Sequence, residues 1–388
     1  MTLPDGLQAA VAARYARYVG DLASLVGIDC GSYTPTGINR VADAVSGTLK
    51  ELGASVERIA HSPSEGERQL GDLVIGRLEG SGPRLLLIGH MDTVFEAGTA
   101  AERPFKVDGD RATGPGVSDM KGGLLAGLHG LAALRSLDRR PSVTFVANPD
   151  EEIGSPFSTA HIRELVPEHD AGLVLECARA NGDIVSARKG IADYEVTITG
   201  RAAHAGVEPE KGRSAILEAA NQVLALHALN GRWPSATINA GVIDGGTRPN
   251  VVAASCRMEI DLRAASVSEF EMAAAEMEGI VTHPTVEGVS ATIRQAAFHP
   301  PMERTPGNAR LADLAIAIAA ELGFELRDAL TGGASDANTT TAAGLPTLDG
   351  LGPVGGDDHS ADEWLDLTSV VPRTTLLAAL MDRVAEAI

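Results

Sequence analysis

Short, wholly apolar runs alternate with longer amphipathic segments through the first half of the chain. The apolar runs lie at 85–88, 143–146 and 172–175. Such runs are typical of strands that are buried on both faces of a sheet. The predicted helices of this half cover residues 7–27, 40–53 and 121–136. Strands that alternate with helices predict a three-layer α/β domain.

A different pattern begins near Lys189, where apolar and polar residues alternate one by one over 194–199 and 256–263. This alternation predicts strands with one covered face, and the helices that would cover it are predicted at 213–229 and 267–281. Later segments return to the first pattern, with predicted helices at 308–322, 336–343 and 369–386. We therefore predict a discontinuous α/β domain at 1–188 and 299–388, interrupted by an α+β domain at 189–298.

The amino-acid composition of the chain limits the classes of function that it can have. A chain of 388 residues is long enough for two domains. The net charge of -20 argues against partners such as nucleic acids and anionic membranes, and an aromatic content of 3% leaves few platforms for stacked bases. The cysteines at 30, 177 and 256 form no closely spaced pair. Because no signal peptide or apolar span is visible either, we expect a reduced, cytoplasmic protein.

Five stretches place an imidazole or a carboxylate at, or close after, an apolar or glycine-rich segment. They are 89–94, 116–123, 150–152, 175–176 and 357–360. Each has an ordinary explanation when taken alone, such as a buried histidine, a solvated acidic turn or a helix cap. Open α/β sheets place ligand sites beyond the carboxyl ends of their strands, so together the five predict a binuclear metal site. Imidazole and carboxylate ligands suit Zn²⁺, and they also accommodate Co²⁺ or Mn²⁺.

The spacing within two stretches suggests separate tasks. His90 lies two residues before Asp92, whose carboxylate can fix the tautomer of a metal-bound imidazole. Glu151 and Glu152 are adjacent, so their side chains point in different directions. One of the two can bind a metal while the other moves the proton of a water molecule.

These segments resemble the zinc aminoacylase, succinyl-diaminopimelate desuccinylase and glutamate carboxypeptidase family over about residues 85–360. The motifs that carry the resemblance are His-x-Asp at 90–92, Gly-Pro-Gly-x-x-Asp-x-Lys-Gly-Gly at 114–123 and the glutamate pair at 151–152. The family implies a di-zinc exopeptidase-like catalytic domain. It also implies a ferredoxin-like inserted domain that acts as a lid and joins two subunits in a homodimer.

The resemblance also implies roles for individual residues at two Zn²⁺ ions. Asp119 would bridge the ions. In the family, the peptide bond after this aspartate is often cis. His90 and Glu176 would complete one site, and Glu152 and His359 the other. By the same resemblance, the general base would be Glu151 and the orienting partner would be Asp92.

Residues in the inserted domain would bind the substrate. By resemblance, His204 is the lid histidine that donates to the oxyanion in a partner subunit, and Asn250 contacts the substrate. Arg263 ends the clearest alternating strand and could grip a carboxylate through two hydrogen bonds, with Arg294 as the second candidate. An arginine at a strand end is more often a rim charge, so both readings of these two residues stay open. Gly333 lies in a loop that resembles one bringing backbone close to the substrate.

The predicted reaction is hydrolysis of an amide bond in a small molecule or peptide. Segments 150–155 and 203–209 most resemble the glutamate carboxypeptidase branch, which favours glutamate as the released amino acid. However, residues 329–331 lack the basic side chain expected there. A deacylase of N-acyl amino acids or a dipeptidase of neutral specificity is therefore the alternative. A non-catalytic metal-binding protein would lack a ligand or the base, and a dehydrogenase would need a Gly-x-Gly-x-x-Gly turn after the strand at 85–88.

Overall fold

The computed structural model describes residues 3–388, which form two compact units. The first unit extends to Ser186 and also contains Arg304–Leu330 and Ser335–Ile388. The second unit consists of Ala187–Glu303 and Thr331–Ala334. No helix among the described residues is long and apolar enough to cross a membrane. The three cysteines are buried and free.

The helices and strands have the following bounds. The helices are α1 (Leu7–Ala12), α2 (Tyr15–Val26), α3 (Pro35–Glu51), α4 (Thr99–Glu102), α5 (Gly123–Ser136), α6 (Ser158–Leu165), α7 (Ala215–His227), α8 (Val267–Thr282), α9 (Pro306–Glu321), α10 (Asp336–Ala342) and α11 (Leu367–Arg383). The strands are β1 (Ser55–Ile59), β2 (Leu73–Leu78), β3 (Ser81–His90), β4 (Lys106–Asp108), β5 (Arg111–Thr113), β6 (Pro141–Asn148), β7 (Ala171–Val174), β8 (Ile184–Arg188), β9 (Gly190–Thr199), β10 (Thr237–Gly245), β11 (Ser255–Ala264), β12 (Ser290–His299), β13 (Asp328–Thr331), β14 (Thr347–Leu348), β15 (Gly355–Gly356) and β16 (Trp364–Asp366).

The first unit is built on a mixed sheet in the order β1-β2-β6-β3-β7-β14. Strand β3 runs parallel to both β6 and β7. Its residues Leu85 and Leu87 join a large apolar cluster with α5 and α11, while Leu86 and Ile88 are equally buried outside that cluster. Because successive residues of a strand point to opposite faces, both faces of this sheet are covered. The prediction of a three-layer α/β domain is confirmed.

The second unit contains an antiparallel sheet in the order β10-β11-β9-β12. In β11, Cys256, Met258, Ile260 and Leu262 are buried, and the residues between them are at least partly exposed. Helices α7 and α8 pack on the buried face, where their apolar side chains share one cluster with the strand residues. This is the α+β arrangement that the alternating pattern predicts.

Several predicted helix bounds are wrong. The predicted helix 7–27 consists of two helices, α1 and α2, which are separated at residues 13–14. Helices α3 and α9 begin earlier than predicted, at Pro35 and Pro306. A proline fits the first turn of a helix because its missing N–H would have no partner there. The apolar periodicity alone does not register such a start.

A buried histidine connects α5 with the start of α2 in the first unit. Arg14 Nε donates to His129 Nδ1 at 3.3 Å, and His129 Nε2 lies 3.0 Å from Asp21 Oδ2. The ring therefore accepts at one nitrogen and donates at the other, as a neutral imidazole does. Burial and the positive charge of Arg14 lower the pKa of His129 to about 4. His129 thus has a structural role.

We expect the protein to lose stability as the pH falls from about 6.5 towards about 4. The unfolded chain binds a proton on His129 near the usual pKa of 6.5, whereas the folded chain binds it only near about 4. The loss from this residue would reach at most about 3 kcal/mol. Denaturant titrations across this pH range would measure it. His129→Gln, which keeps one donor and one acceptor, should flatten the pH dependence, and an unchanged slope would contradict the assignment.

Candidate metal centre

The parallel strands of the first unit bring the predicted ligands to one edge of the sheet. His90 is the last residue of β3. Strand β6 ends at Asn148, just before the turn Glu151–Ile153. Strand β7 ends at Val174, two residues before Glu176. Because these strands are parallel neighbours, their carboxyl ends meet at the same edge.

The carboxylate of Asp119 lies between two imidazoles. Its Oδ1 is 3.0 Å from His90 Nε2, and its Oδ2 is 3.1 Å from His359 Nε2. Each imidazole also faces a second carboxylate: His90 Nε2 is 3.7 Å from Glu176 Oε1, and His359 Nε2 is 3.1 Å from Glu152 Oε2. Asp119 thus presents one oxygen to the His90–Glu176 pair and the other oxygen to the His359–Glu152 pair. This is the arrangement of a ligand that bridges two metal ions.

The donor set fits divalent cations. The groups His90, Glu151, Glu176 and His90, Asp119, Glu152 each bring their ligand atoms within 4.8 Å of one another. Hydrogen bonds to Asp119 and Glu152 raise the pKa of His359 to about 11. Although burial lowers the pKa of His90, its bonds to Asp119 and Asp92 raise it well above the usual value. The site therefore holds a strongly negative potential, which a cation can neutralise.

Glu151 differs from its neighbours in its electrostatics. Burial raises the pKa of its carboxyl group well above the usual value, and although the positive charge of His90 opposes this shift, the negative charge of Glu176 adds to it. Its backbone N–H donates to Asp92 Oδ1 at 3.2 Å, which fixes the turn that carries it. A carboxyl group with a raised pKa beside a cation site is suited to accepting and returning a proton.

Asp92 acts on the glutamate turn as well as on His90. Its Oδ2 accepts from Ser32 Oγ at 2.6 Å and from the backbone N–H of Glu152 at 3.2 Å. His90 Nδ1 lies 3.0 Å from the backbone oxygen of Asp92 and 3.4 Å from its Oδ1. The backbone carbonyl group of Asp92 therefore mainly sets the tautomer of His90. The carboxylate of Asp92 holds the turn that presents Glu151 and Glu152.

Glu363 holds the Asp119 loop and was not found from the sequence. Its buried carboxylate accepts from the backbone N–H groups of Gly116 and Ser118 at 2.8 Å and of Asp119 at 3.0 Å. Burial raises its pKa to about 7. The peptide bond between Asp119 and Met120 is cis, as the resemblance implies. In the sequence Glu363 is one acid in a polar stretch, so no pattern distinguishes it.

Asp336 is a second buried acid beside the glutamate turn. It accepts from Ser155 Oγ at 2.8 Å and from the side-chain amide of Asn148. Burial raises its pKa to about 7, and its charge contributes to the raised pKa of Glu151. The sequence pattern indicated only the start of a helix at this position, after a glycine-containing loop.

In the second unit, His204 and Asn250 lie on paired segments. The backbone N–H of Ala205 donates to the carbonyl oxygen of Asn250 at 3.0 Å. The N–H of Gly206 donates to His204 Nδ1 at 3.1 Å. The neutral ring therefore carries its proton on Nε2, at an exposed side chain. This is the tautomer that a hydrogen-bond donor requires.

The two arginine candidates have different surroundings. Arg263 Nη1 donates to the carbonyl oxygen of Gly332 at 3.0 Å, and its Nε pairs with Asp261 Oδ1 at 3.0 Å. The structure thus brings Arg263 together with the glycine pair that includes Gly333. Arg294 lies on the edge strand β12, is 66% exposed and pairs with Glu195. Its position is that of a rim charge.

Comparison with known proteins places these features in a family. The model of peptidase family M20/M25/M40 matches residues 86–383. The chain is 34% identical to carboxypeptidase G2 of Pseudomonas sp. over 92% of this chain and 86% of the relative. It is 30% identical to acetylornithine deacetylase of Myxococcus xanthus over 62% of this chain and 65% of the relative. The crystal structure of aminopeptidase PepT from Bacillus cereus shares the fold, with a TM-score of 0.81, 24% identity and coverage of 96% of this chain and 99% of that one.

We predict that Glu363→Ala weakens the metal centre without removing any ligand. Three backbone N–H groups would lose their acceptor, which should lower the free energy of unfolding by about 2–5 kcal/mol. The loosened Asp119 loop should also lower metal affinity by about 10- to 100-fold. Chelator competition and denaturant titration would measure both effects. Asp362→Ala, at the exposed neighbouring position, is the control, and equal metal affinity in both variants would contradict the assignment.

Proposed function

We propose that this chain, which belongs to peptidase family M20/M25/M40, releases a C-terminal amino acid, with a preference for glutamate, from an N-acyl amino acid, a folate-like compound or a small peptide. The chain is a metal-dependent hydrolase of amide bonds, as the resemblance implies. The observation that carries the proposal is the Asp119 carboxylate between His90 and His359, with the raised-pKa carboxyl group of Glu151 in the same cluster.

Two Zn²⁺ ions are the proposed cofactors, and Co²⁺ or Mn²⁺ would fit the same donors. Asp119 would be shared by both ions, with His90 and Glu176 at one and Glu152 and His359 at the other. Bound ions would polarise the amide carbonyl group and lower the pKa of a water molecule. Support comes from the mixture of imidazole and carboxylate ligands within a short distance of one another.

The chain's own groups would move the protons and orient the substrate. Glu151 would take the proton of the attacking water and return it to the nitrogen of the leaving amine. Asp92 would keep the glutamate turn in place during both transfers. His204, from the second subunit of a dimer, would donate its Nε2–H to the oxygen that becomes negative. Its tautomer supports this role.

Asn250, Arg263 and Gly333 would bind the released amino acid. Arg263 is already oriented by Asp261 and by the backbone at Gly332, which supports a role as a fixed carboxylate-binding group. Arg294 remains the second candidate. The similarity to acetylornithine deacetylase and the missing basic residue at 329–331 keep a deacylase or dipeptidase of neutral specificity as the alternative.

A homodimer through the second unit is also part of the proposal. Edge strand β10 exposes Val242 and Ile243, and α7 exposes Ile216, Leu217 and Leu224, each with 43% or more of its surface accessible. An apolar edge strand beside an apolar helix face is typical of a surface that pairs with another chain. Leu224→Glu should therefore shift the molar mass seen by light scattering from dimer towards monomer, and a wild-type monomer would contradict the pairing.

We expect a screen of N-acyl amino acids to identify the reaction and its specificity. Chelator-treated protein should be inactive, and added Zn²⁺ should restore hydrolysis of compounds that end in glutamate. Compounds that end in aspartate or in a neutral residue should react more slowly. Equal rates for neutral residues would contradict the glutamate preference. If the zinc-loaded protein cleaved none of these compounds, the proposed function as a whole would be wrong.

We also predict that Glu151→Gln lowers kcat by about 10²- to 10⁴-fold, because the proton acceptor is lost. Metal content should stay unchanged if Glu151 acts as the base. Glu164→Gln, at an exposed glutamate of α6, is the matched control and should retain wild-type turnover. Wild-type turnover in Glu151→Gln would contradict the role, and loss of metal from this variant would identify Glu151 as a ligand instead.

A further inference from the structure

The loop that carries His359 joins two short strands of the first unit. Strands β15 and β16 are antiparallel, with Gly356 opposite Trp364, so residues 357–363 connect them. The side chain of His359 is 55% exposed, whereas the side chains of the other four proposed ligands are 15% exposed or less. Burial therefore restrains His359 least, and the contacts of its loop must set its position.

The backbone of this loop has a conformation that needs support. Asp357 and His359 have positive φ angles of 55° and 62°. Residues with a Cβ rarely adopt this left-handed conformation, and it persists where surrounding contacts hold it. The backbone N–H and the hydroxyl group of Ser360 both donate to the carbonyl oxygen of Asp357, at 3.2 Å and 2.6 Å. These bonds close a local turn, but they do not attach it to the rest of the molecule.

Trp364 attaches the first residue of the loop. Its indole Nε1–H donates to Asp357 Oδ2 at 3.0 Å. The indole ring is itself held, because the guanidinium group of Arg111 lies 4.1 Å from the ring centre. Arg111 is on β5, which pairs with β16, so the stacked pair belongs to one small sheet. The donor that reaches Asp357 therefore has a fixed position.

Arg103 attaches the other side of the loop. Its Nη1 donates to the carbonyl oxygen of Ser360 at 2.9 Å. The guanidinium group of Arg103 also lies 4.4 Å from the centre of the Phe95 ring. Phe95 follows shortly after His90 in the chain. Arg103 thus connects the loop of His359 with the segment that carries a ligand of the other proposed ion.

The two attachments lie on opposite sides of the ligand in the chain. Asp357 precedes His359 by two residues, and Ser360 follows it directly. Between these fixed points, His359 Nε2 lies 3.1 Å from both Asp119 Oδ2 and Glu152 Oε2. The imidazole therefore faces the carboxylates only while both sides of the loop are held.

We propose that Trp364 and Arg103 are positioning residues for His359 and thereby set the affinity of the one ion that His359 and Glu152 would hold. This inference rests on the proposed function, because it assumes two ions. An indole N–H and a guanidinium group are donors only, so neither can bind a cation, and their effect must pass through His359. The two side chains proposed to complete the other site lie at the ends of β3 and β7, so its affinity should not depend on this loop.

Stepwise Zn²⁺ titration of the chelator-treated protein tests this assignment, with chelator competition to measure each affinity. Trp364→Phe removes the indole N–H but keeps a ring beside Arg111, and Arg103→Gln removes the guanidinium group. Each variant should bind one ion about tenfold or more weakly and the other within about twofold of the wild type. Trp233→Phe in the second unit and Arg77→Gln on β2 are the matched controls, and they should bind both ions like the wild type.

A second set of variants shows whether the effect passes through His359. His359→Ala should abolish binding of the ion that Trp364→Phe weakens and leave the other ion bound. Adding Trp364→Phe to His359→Ala should then cause no further loss, because the side chain that Trp364 positions is already gone. A general loosening of the fold would instead lower the affinity for the remaining ion as well.

The outcomes separate this inference from the proposed function. If the wild type binds two ions and Trp364→Phe and Arg103→Gln either match it or weaken both ions equally, the positioning assignment is wrong and the proposed function stands. A further loss of affinity in the double variant would also contradict the assignment. A wild type that binds fewer than two ions would overturn the proposed two-ion centre, and this inference with it.

Discussion

Several acidic side chains converge within a few ångströms at one edge of the central sheet, and their mutual repulsion is the constraint around which this part of the chain is organised. Asp119 is tolerated there because imidazoles face both of its oxygens. Asp92 is tolerated because a hydroxyl group and two backbone N–H groups donate to it. The remaining negative charge of the cluster is one that a divalent cation would balance. The negative potential and the metal requirement thus have one cause.

Glu363 and Asp92 support the site mainly through backbone N–H groups. Glu363 gathers three N–H groups of the Asp119 loop, and Asp92 gathers the two N–H groups of the glutamate turn. Fixing the backbone fixes where each ligand side chain begins, and it leaves the ligand oxygens available. Catalysis gains from such preorganisation, because little rearrangement is then needed when charge develops.

The sequence was sufficient to place part of this cluster, because these candidate ligands follow apolar runs and parallel runs end at the same edge. The roles of Asp119 and His359 came from the resemblance instead. His90 and Glu176 could be placed by that rule alone. Glu363 could not, since it acts across 244 positions of the chain on backbone donors that have no signature of their own. The helix starts at Pro35 and Pro306 were missed because a proline signals a start that apolar spacing does not register.

The two units contribute different groups to the proposed reaction. In the first unit, Glu151 begins a turn whose first two backbone N–H groups donate to Asp92. The groups assigned to the amino acid, Arg263 and the glycine pair, belong to the second unit. With these proposed roles, changes in the second unit would alter which amino acid is released, while the proton-transfer geometry of the first unit would stay the same.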